Sequence, residues 1–511
     1  MTIYGPPWES VARPRLVPSS SKVDVAVVGA GITGLTLAVE LSRAGASVGV
    51  VESRYVGAGT TGASTAKVSV LQGGRFGQLA LHGHPEEVLR AYAEAQSAGR
   101  EWVRRETHGA DRIAQPATAV TYATTAAGAG RLRREAEVME QAGIVVDTSG
   151  AESLPVETTA SIALADQLRI DPRRYLALLV DRLLASPSCW VWESARVIEV
   201  DEGHPCGITV DSDPGTAGAE SRRMLEADRV VVATGIPMLD RGGFFARLVP
   251  QRSYCIAVEL EEEPPPQLSL SIDGPTRSLR PGGHPIQLVV AGNGHVTGRG
   301  GSVQQRYDDL ERWTRQHFAV RRLTHRWSAQ DYQPANGLPY VGALRPRSSR
   351  LYTATGFNKW GLTGGTAAAQ ALARVLTGSG SVPAGWDPWH LPSPQEAASV
   401  ASLNAKVGGH LAVGWAKAVV PPLPRPGRTP PPSPEEGRAH VRSTRRGPVG
   451  TSCVDGTVRS VSVVCPHLGG ILSWNDGDKS WDCPLHGSRF APDGSWLYGP
   501  AVRDLEPRDG G

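Results

Sequence analysis

Residues 23–52 read VDVAVVGAGITGLTLAVELSRAGASVGVVE. An apolar run interrupted only by Asp24 leads into glycines at Gly29, Gly31 and Gly34. Apolar residues then recur at helical spacing as far as Gly45, and a second apolar run closes on Glu52. This is strand, glycine turn, helix, strand: half of a nucleotide-binding βαβ unit. The glycines permit a tight turn and let backbone N–H groups approach a pyrophosphate at the positive end of the helix. The Glu52 carboxylate can accept hydrogen bonds from ribose hydroxyls and repels a 2′-phosphate. The ADP-ribose of FAD or NAD fits this pattern, and that of NADP fits poorly.

Outward from this unit, helical patterns run from Pro85 to about Thr107 and from Gly130 to about Ala142, with a strand-like AVTYATT at 119–125 between them. Asp171-Pro172 reads as a helix cap followed by a first-turn proline. DRVVVATG at 228–235 has the pattern of a buried parallel strand. Residues 250–300 alternate like antiparallel strands (SYCIAVEL, LSLSID, IQLVVAG), after which LYTATGF at 351–357 and a helix from about Thr363 to Leu376 look back to the first sheet. The nucleotide-binding domain is therefore predicted to be discontinuous, with two excursions and two returns. From Pro421 to Pro434 eight of fourteen residues are proline, which excludes helix and central strand and predicts a stiff spacer. Fewer than 80 residues follow, in short strand-like runs broken by Gly, Pro and Asp turns: a small all-β module.

VGAGITGL at 28–35, the loop VGAGTTGASTAKVSV at 56–70, VVVATG at 230–235 and LYTATGFNKWGLTGG at 351–365 together resemble the D-amino-acid oxidase and glycine oxidase flavoprotein family, over roughly residues 22–380. The resemblance implies FAD as the cofactor of an α/β oxidoreductase domain at 22–395. A Rossmann-like FAD-binding part (about 22–85, 160–240 and 326–395) would carry an inserted α+β substrate part (about 86–159 and 241–325), with substrate beneath a sheet roof. It further implies that Thr60, Thr61, Thr65 and Lys67 sit beside the isoalloxazine and that Gly235, Gly356 and Thr363 complete FAD binding. Family sites often fix a substrate carboxylate with Arg, Lys or Tyr. Tyr254, Arg280, His295 and Lys359 are accordingly the catalytic candidates, with Arg277 and Arg299 beside them. Where related amine oxidases carry a lysine shortly after the ATGF-type segment, this chain has WGLTGG and places Lys359 earlier.

Cys465-Pro466-His467 and Cys483-Pro484-Leu485-His486 set CxH and CxxH fifteen residues apart. In a Rieske centre two thiolates hold one iron and two imidazoles the other. Structural zinc also takes Cys2His2 ligation, but zinc fingers usually keep the two Cys together and the two His together. The interleaving favours iron–sulfur and leaves zinc as the alternative. The run CPHLGG…WDCPLHGSRF…DGSWLYGPAV resembles Rieske [2Fe-2S] domains over about 435–508, which implies a Rieske domain at 435–511 after a helical, then Pro-rich linker at 396–434. Gly470 and Leu485 stand where the respiratory type has a disulfide-forming pair, and Phe490 where it has a tyrosine, while Ser488 remains as a donor. Fewer hydrogen bonds to the sulfurs imply a potential in the lower part of the Rieske range of roughly −150 to +300 mV. The two imidazoles are expected on the outer iron, nearest the surface through which electrons leave.

The net charge of +3 and 20% charged residues advertise neither nucleic acid nor anionic membrane as a partner. Six cysteines are too few for a disulfide framework, and Cys189, Cys206, Cys255 and Cys453 lack ligand spacing and read as inert. The opening residues MTIYGPPWESVARPRLVPSS have no apolar core, and no transmembrane run is apparent, so a cytoplasmic protein is expected. The expected activity is oxidation of a small amine, amino acid or related substrate. Electrons would pass from FAD through the Rieske cluster to an external acceptor, a ferredoxin-like protein or a quinone. A reductase fed at the cluster by a ferredoxin-like partner, and a non-catalytic redox sensor, are the alternatives. GNGHVTG at 292–298 lacks the spacing of a second dinucleotide site, and no D/E-x2-H-x4-H pattern supports a mononuclear-iron oxygenase.

Overall fold

The apolar runs flanking the glycine turn pair as parallel strands, Lys22–Val28 beside Val48–Val51, with Val25 opposite Val48. The computed structural model that shows this describes residues 3–8, 17–149, 154, 156–212, 222–419 and 433–508. The spacer predicted at 421–434 lies outside them except for its last two residues.

The two strands belong to an eight-stranded sheet ordered Tyr340–Ala343, Leu351–Thr355, Arg222–Val232, Lys22–Val28, Val48–Val51, Trp190–Trp192. Cys206–Asp211 joins it by antiparallel pairing with Arg222–Val232 and with Arg196–Asp201. Both predicted returns are strands of this sheet and lie side by side, Val230 opposite Leu351. Helices Ile32–Arg43, Pro172–Leu184 and Gly361–Thr377 cover its apolar strands. Asp171 caps Pro172–Leu184, accepting the Arg173 and Arg174 amides at 3.0 and 3.1 Å, as the Asp-Pro pair predicts.

Nine strands form the second sheet, ordered Ile3–Tyr4, Val320–Pro334, Leu248–Leu260, Gln287–Val296, Arg277–Pro281, Leu268–Ser271, Ala114–Ala123, Ala160–Ile170, Lys67–Val68. Its longest strand, Val320–Pro334, carries no signal in the sequence reading, because VRRLTHRWSAQDYQP is polar where a roof strand should be apolar. Its side chains find partners elsewhere in the fold, as described below. The helix predicted from Gly130 begins at Ala126, capped by Thr125 Oγ1 on Gly128 N at 3.0 Å. A Cβ on Gly128 would lie 2.3 Å from Asp273 Oδ1, so glycine in this first turn makes room for a carboxylate.

The C-terminal module is all-β: strands Ala439–Thr444, Gly447–Val454 and Thr457–Ser462 form one antiparallel sheet, and Ser473–Asn475, Ser480–Asp482, Arg489–Phe490 and Trp496–Tyr498 a second. Helix Pro394–Val419, expected as part of a linker, lays Leu411, Trp415 and Ala418 on this module's core, and Trp415 Nε1 donates to Gly469 O at 3.0 Å. The module is docked on the nine-stranded sheet by buried polar groups. Asp478, between two of its short strands, accepts from Arg252 (2.8 Å), Tyr307 (2.9 Å) and Ser328 (2.6 Å) of the larger domain and from Arg489 (3.2 Å) of its own. Against the opposing effect of burial, Arg252 and Arg489 hold the Asp478 carboxyl down at about 2. Asp476 beside it accepts the Val303 and Gln304 amides at 2.7 and 3.1 Å, capping helix Val303–His317 across the interface. No helix among the described residues is long and apolar enough to cross a membrane.

Candidate functional site

The glycine turn opens on a cavity of about 800 Å³, a volume typical of cofactor sites. Gly29 takes φ +109°, and a Cβ there would lie 2.7 Å from Ala233 O. A Cβ on Gly34 would lie 2.0 Å from Gly29 O, so Gly34 sets the approach of helix to strand and does not line the cavity. Helix Ile32–Arg43 has no side-chain cap at Gly31. Thr61 Oγ1 accepts the Ile32 amide at 3.1 Å, and Gly31, Ile32 and Thr33 line the cavity. An anion placed there meets amides that have no intrahelical acceptor. Glu52 lines the cavity as well, with Oε2 accepting from Ala30 N (2.9 Å) and Oε1 from Arg54 N (3.0 Å). Ser53 Oγ also donates to Oε1 at 3.1 Å, so of a carboxylate's about four acceptor positions one is left for a ribose hydroxyl. These residues fit a dinucleotide.

The 56–70 loop lines the cavity through Thr60, Thr61, Thr65 and Lys67. Lys67 Nζ donates to Ser269 O and Ser278 Oγ, each at 2.7 Å, and full burial drives its pKa well below the lysine range. Gly235 lines the cavity, but Gly356 and Thr363 do not. Gly356 packs on Pro334, 2.6 Å from where its Cβ would stand, and Thr363 Oγ1 donates to Gln96 Oε1 at 2.5 Å between two helices. Both support the wall from behind, Gly356 from the loop after strand Leu351–Thr355 and Thr363 from the helix face turned to its neighbour.

In the C-terminal module two similar turns bring Cys465 and Cys483 together, thiol against thiol, and His467 and His486 together, with ring centroids 5.1 Å apart. No three His, Cys, Asp or Glu side chains among the described residues are grouped as a single metal ion needs. The four pair two and two instead, as two irons require. Nδ1 of both imidazoles is buried without a hydrogen-bond partner, so each ring turns an unused nitrogen inward. Burial, more than the neighbouring charges of His467 and Arg299, pushes His486 down to about 3 and keeps it neutral, the form that ligates. A Cβ on Gly470 would lie 3.0 Å from Cys483 Sγ. This donor set fits a [2Fe-2S] cluster.

The family model FAD dependent oxidoreductase matches residues 24–375. The chain belongs to this family. A Rieske [2Fe-2S] domain model matches residues 441–507. FAD and a [2Fe-2S] cluster are thus its cofactors, and the zinc alternative falls. Among relatives, YhfW of Bacillus subtilis (strain 168), whose name carries a Rieske 2Fe-2S iron-sulfur assignment, is 28% identical over 499 residues, spanning 96% of this chain and 94% of its own. Glycine oxidase from Geobacillus kaustophilus shares the fold over 73% of this chain and all of its own (TM-score 0.56, 19% identity). So does an L-amino acid deaminase from Proteus myxofaciens in complex with anthranilate, over 76% of this chain and 98% of its own (TM-score 0.57, 15% identity).

In this FAD-dependent oxidoreductase only one of the four catalytic candidates faces the cavity. Lys359 lines it, exposed to the open cavity, and desolvation by the surrounding walls lowers its pKa. Asn358 and Lys359 both adopt left-handed backbone (φ +46° and +73°), pinned by Tyr332 O on the Asn358 amide and by the Asp331 carboxylate on the Lys359 amide. Two such non-glycine residues in succession are a strained arrangement of the kind found at functional sites. The other three candidates need correction. Tyr254 and His295 hydrogen-bond each other at 2.8 Å within the sheet, outside the cavity, beside the Asp478 network. Arg280 is spent on carbonyls of Thr65 (2.9 Å), Ala66 (3.2 Å) and Ile170 (3.1 Å), tying the 56–70 loop to the roof. Arg277 pairs with Asp309 at 3.1 Å, and Arg299 donates to Pro484 O at 2.8 Å, holding a cluster loop. Cys255 does line the cavity, but burial pushes its thiol up to about 12, so it stays protonated.

The expectation that the imidazoles face outward is also corrected. His467 Nε2 meets Asp240 Oδ1 at 2.8 Å, and Phe245 packs edge-on against both rings, so the histidine end of the cluster site is pressed on the flavin domain. Sequence reading missed Gln330, Asp331 and Tyr332, which line or support the cavity from the polar strand, and Trp496 and Tyr498, which line it from the C-terminal module. The only available signal was the unusual polarity of that strand.

Proposed function

We propose that this chain oxidises a small amine, amino acid or related substrate beneath the nine-stranded sheet and passes the electrons through its Rieske module to an external one-electron acceptor. Bound FAD supplies hydride acceptance from a substrate C–H bond, and the cluster supplies one-electron carriage. Gly29, Gly31 and Glu52 hold the ADP half of the dinucleotide, while Thr60, Thr61, Thr65 and Lys67 border the remainder. Cys465 and Cys483 hold one iron, and the Nδ1 atoms of His467 and His486 the other. Lys359 offers a cationic side chain to the substrate.

The observation that carries this reading is a short bonded route between the two sites. Thr60 donates to Gln330 O (2.5 Å), and Gln330 Nε2 donates to Gly487 O (2.8 Å), next in sequence to His486. Tyr332 OH reaches His486 O at 3.4 Å. Electrons leaving the cavity on this route need not cross solvent.

Anaerobic mixing with a panel of amines, amino acids and hydroxy acids tests the reading. One class should bleach the flavin band, and a rhombic reduced-cluster signal should follow. Bleaching by no member of the panel, or bleaching that leaves the cluster oxidised, overturns it.

A further inference from the structure

We infer that the Rieske module is itself part of the FAD-binding site: its segment Trp496–Val502 closes the dinucleotide cavity, so that FAD retention and docking of the module reinforce each other. Trp496, Tyr498, Gly499, Ala501 and Val502 line the same cavity as Gly29, Gly31 and Glu52. Tyr498 is the centre of this wall. Its hydroxyl lies 3.1 Å from Thr60 Oγ1, and its ring stacks with Tyr332 at 6.4 Å between centroids and 21° between planes.

The larger domain has a seat for this tyrosine. Gly235, at φ +82°, would place a Cβ 2.5 Å from the Tyr498 hydroxyl, and a Cβ on Gly59 would lie 3.6 Å from its ring. Gly235, which the resemblance places at the FAD site, makes room for a residue of the other module. A second contact borders the cavity: Arg196 pairs with Asp504 at 3.0 Å with its guanidinium 5.7 Å from the Trp496 ring centroid, and Asp504 accepts the Trp496 amide at 3.0 Å.

The same module is anchored away from the cavity by the buried Asp478 network, and Asp478 does not line the cavity. One module thus has a polar lock at one place and a cavity wall at another. A ligand held by both modules binds the docked arrangement more tightly than the undocked one, and by linkage it stabilises docking by the same factor. This holds whichever direction electrons take.

The test uses the full-length protein loaded with FAD and iron, without substrate or acceptor, so its outcome is separable from that of the proposed reaction. FAD release after dilution is followed by recovery of flavin fluorescence, and iron content reports whether the module is intact. Tyr498→Ala and Asp478→Asn should each speed FAD release about tenfold, within the usual range of coupling between sites, while keeping about two irons per chain. Amide hydrogen exchange over 496–502 should slow when FAD is added to the FAD-depleted protein. Release at the parental rate in Tyr498→Ala, or exchange indifferent to FAD, overturns the inference. Fast release in Tyr498→Ala alone, with Asp478→Asn at the parental rate, reduces Tyr498 to a local contact and also overturns the coupling. Should Asp478→Asn lose its iron, Tyr498→Ala and Trp496→Ala with the exchange measurement decide the question.

Discussion

Glu52 closes the glycine turn and faces the cavity at once, its two oxygens tied to Ala30 N and Arg54 N at 2.9 and 3.0 Å. Glu52→Ala removes a charge-assisted acceptor worth roughly 1.5–3 kcal/mol. FAD affinity, titrated by fluorescence, should fall by about tenfold or more, whereas Cys189→Ala, in the core away from the cavity, should leave it unchanged. Equal retention in the two variants would contradict the ribose role. Glu135 shows a residue-scale effect with no part in the chemistry. It is buried, accepts the Phe76 and Gly77 amides at 3.0 and 2.6 Å, and burial lifts its carboxyl to about 7. The folded protein therefore keeps this proton to about pH 7, while the unfolded chain loses it near pH 4.5. Between those values the unfolded state binds fewer protons, so stability falls as pH rises, by a few kcal/mol at most, and levels off above. Thermal melting of Glu135→Gln across pH 4–8 should lack that decline, and a parallel decline in both proteins would refute the assignment.

At the scale of elements, the glycine turn and the two cluster loops were legible, because each depends on local geometry and on residue types that few other structures require. Val320–Pro334 was not. Its polar side chains are satisfied by groups far along the chain, Ser328 by Asp478 and Gln330 by Gly487, and no periodicity announces such partners. The turn after the neighbouring strand Gln287–Val296 is similar: Gly298 sits at φ +70°, and a Cβ there would lie 2.7 Å from Pro484 N. Gly298→Ala adds both backbone strain and a clash on a cluster loop, costing roughly 1–3 kcal/mol. Iron content and melting temperature should both drop, while Gly301→Ala, with nothing within 4 Å of its Cβ, should be neutral. Full iron loading and unaltered melting in Gly298→Ala would show that this contact does not hold the loop.

Across the whole molecule, the two modules meet on a continuous surface from Asp478 through the Gly487 and Pro484 loops to Tyr498. Trp496–Val502 lines the flavin cavity, and the second cluster loop abuts the larger domain beside it through Gln330 and Arg299. His467→Ala should separate the half-reactions: flavin reduction by substrate survives, whereas delivery to a one-electron acceptor collapses because no cluster holds without that ligand. Stopped-flow bleaching and steady-state acceptor reduction measure the two independently. Acceptor reduction at the parental rate in His467→Ala would show that the cluster is not the outlet.

By itself the sequence determined the chemistry of this protein: a dinucleotide turn with an acidic partner, and a Cys/His set whose interleaving suits two irons. Those features are local, since the glycines share one turn, Glu52 ends the very next strand, and each Cys–His pair sits on one loop. Tertiary structure decided where the remaining charged and aromatic side chains go. Lys359 reaches the cavity while Tyr254, His295 and Arg280 serve the roof, the imidazoles face Phe245 rather than the outside, and Tyr498 crosses between modules to fill the space at Gly235. A polar or aromatic side chain is compatible with several destinations. Its burial becomes favourable only where a partner from a distant segment satisfies it, and that pairing is set by how sheets and modules pack rather than by spacing along the chain.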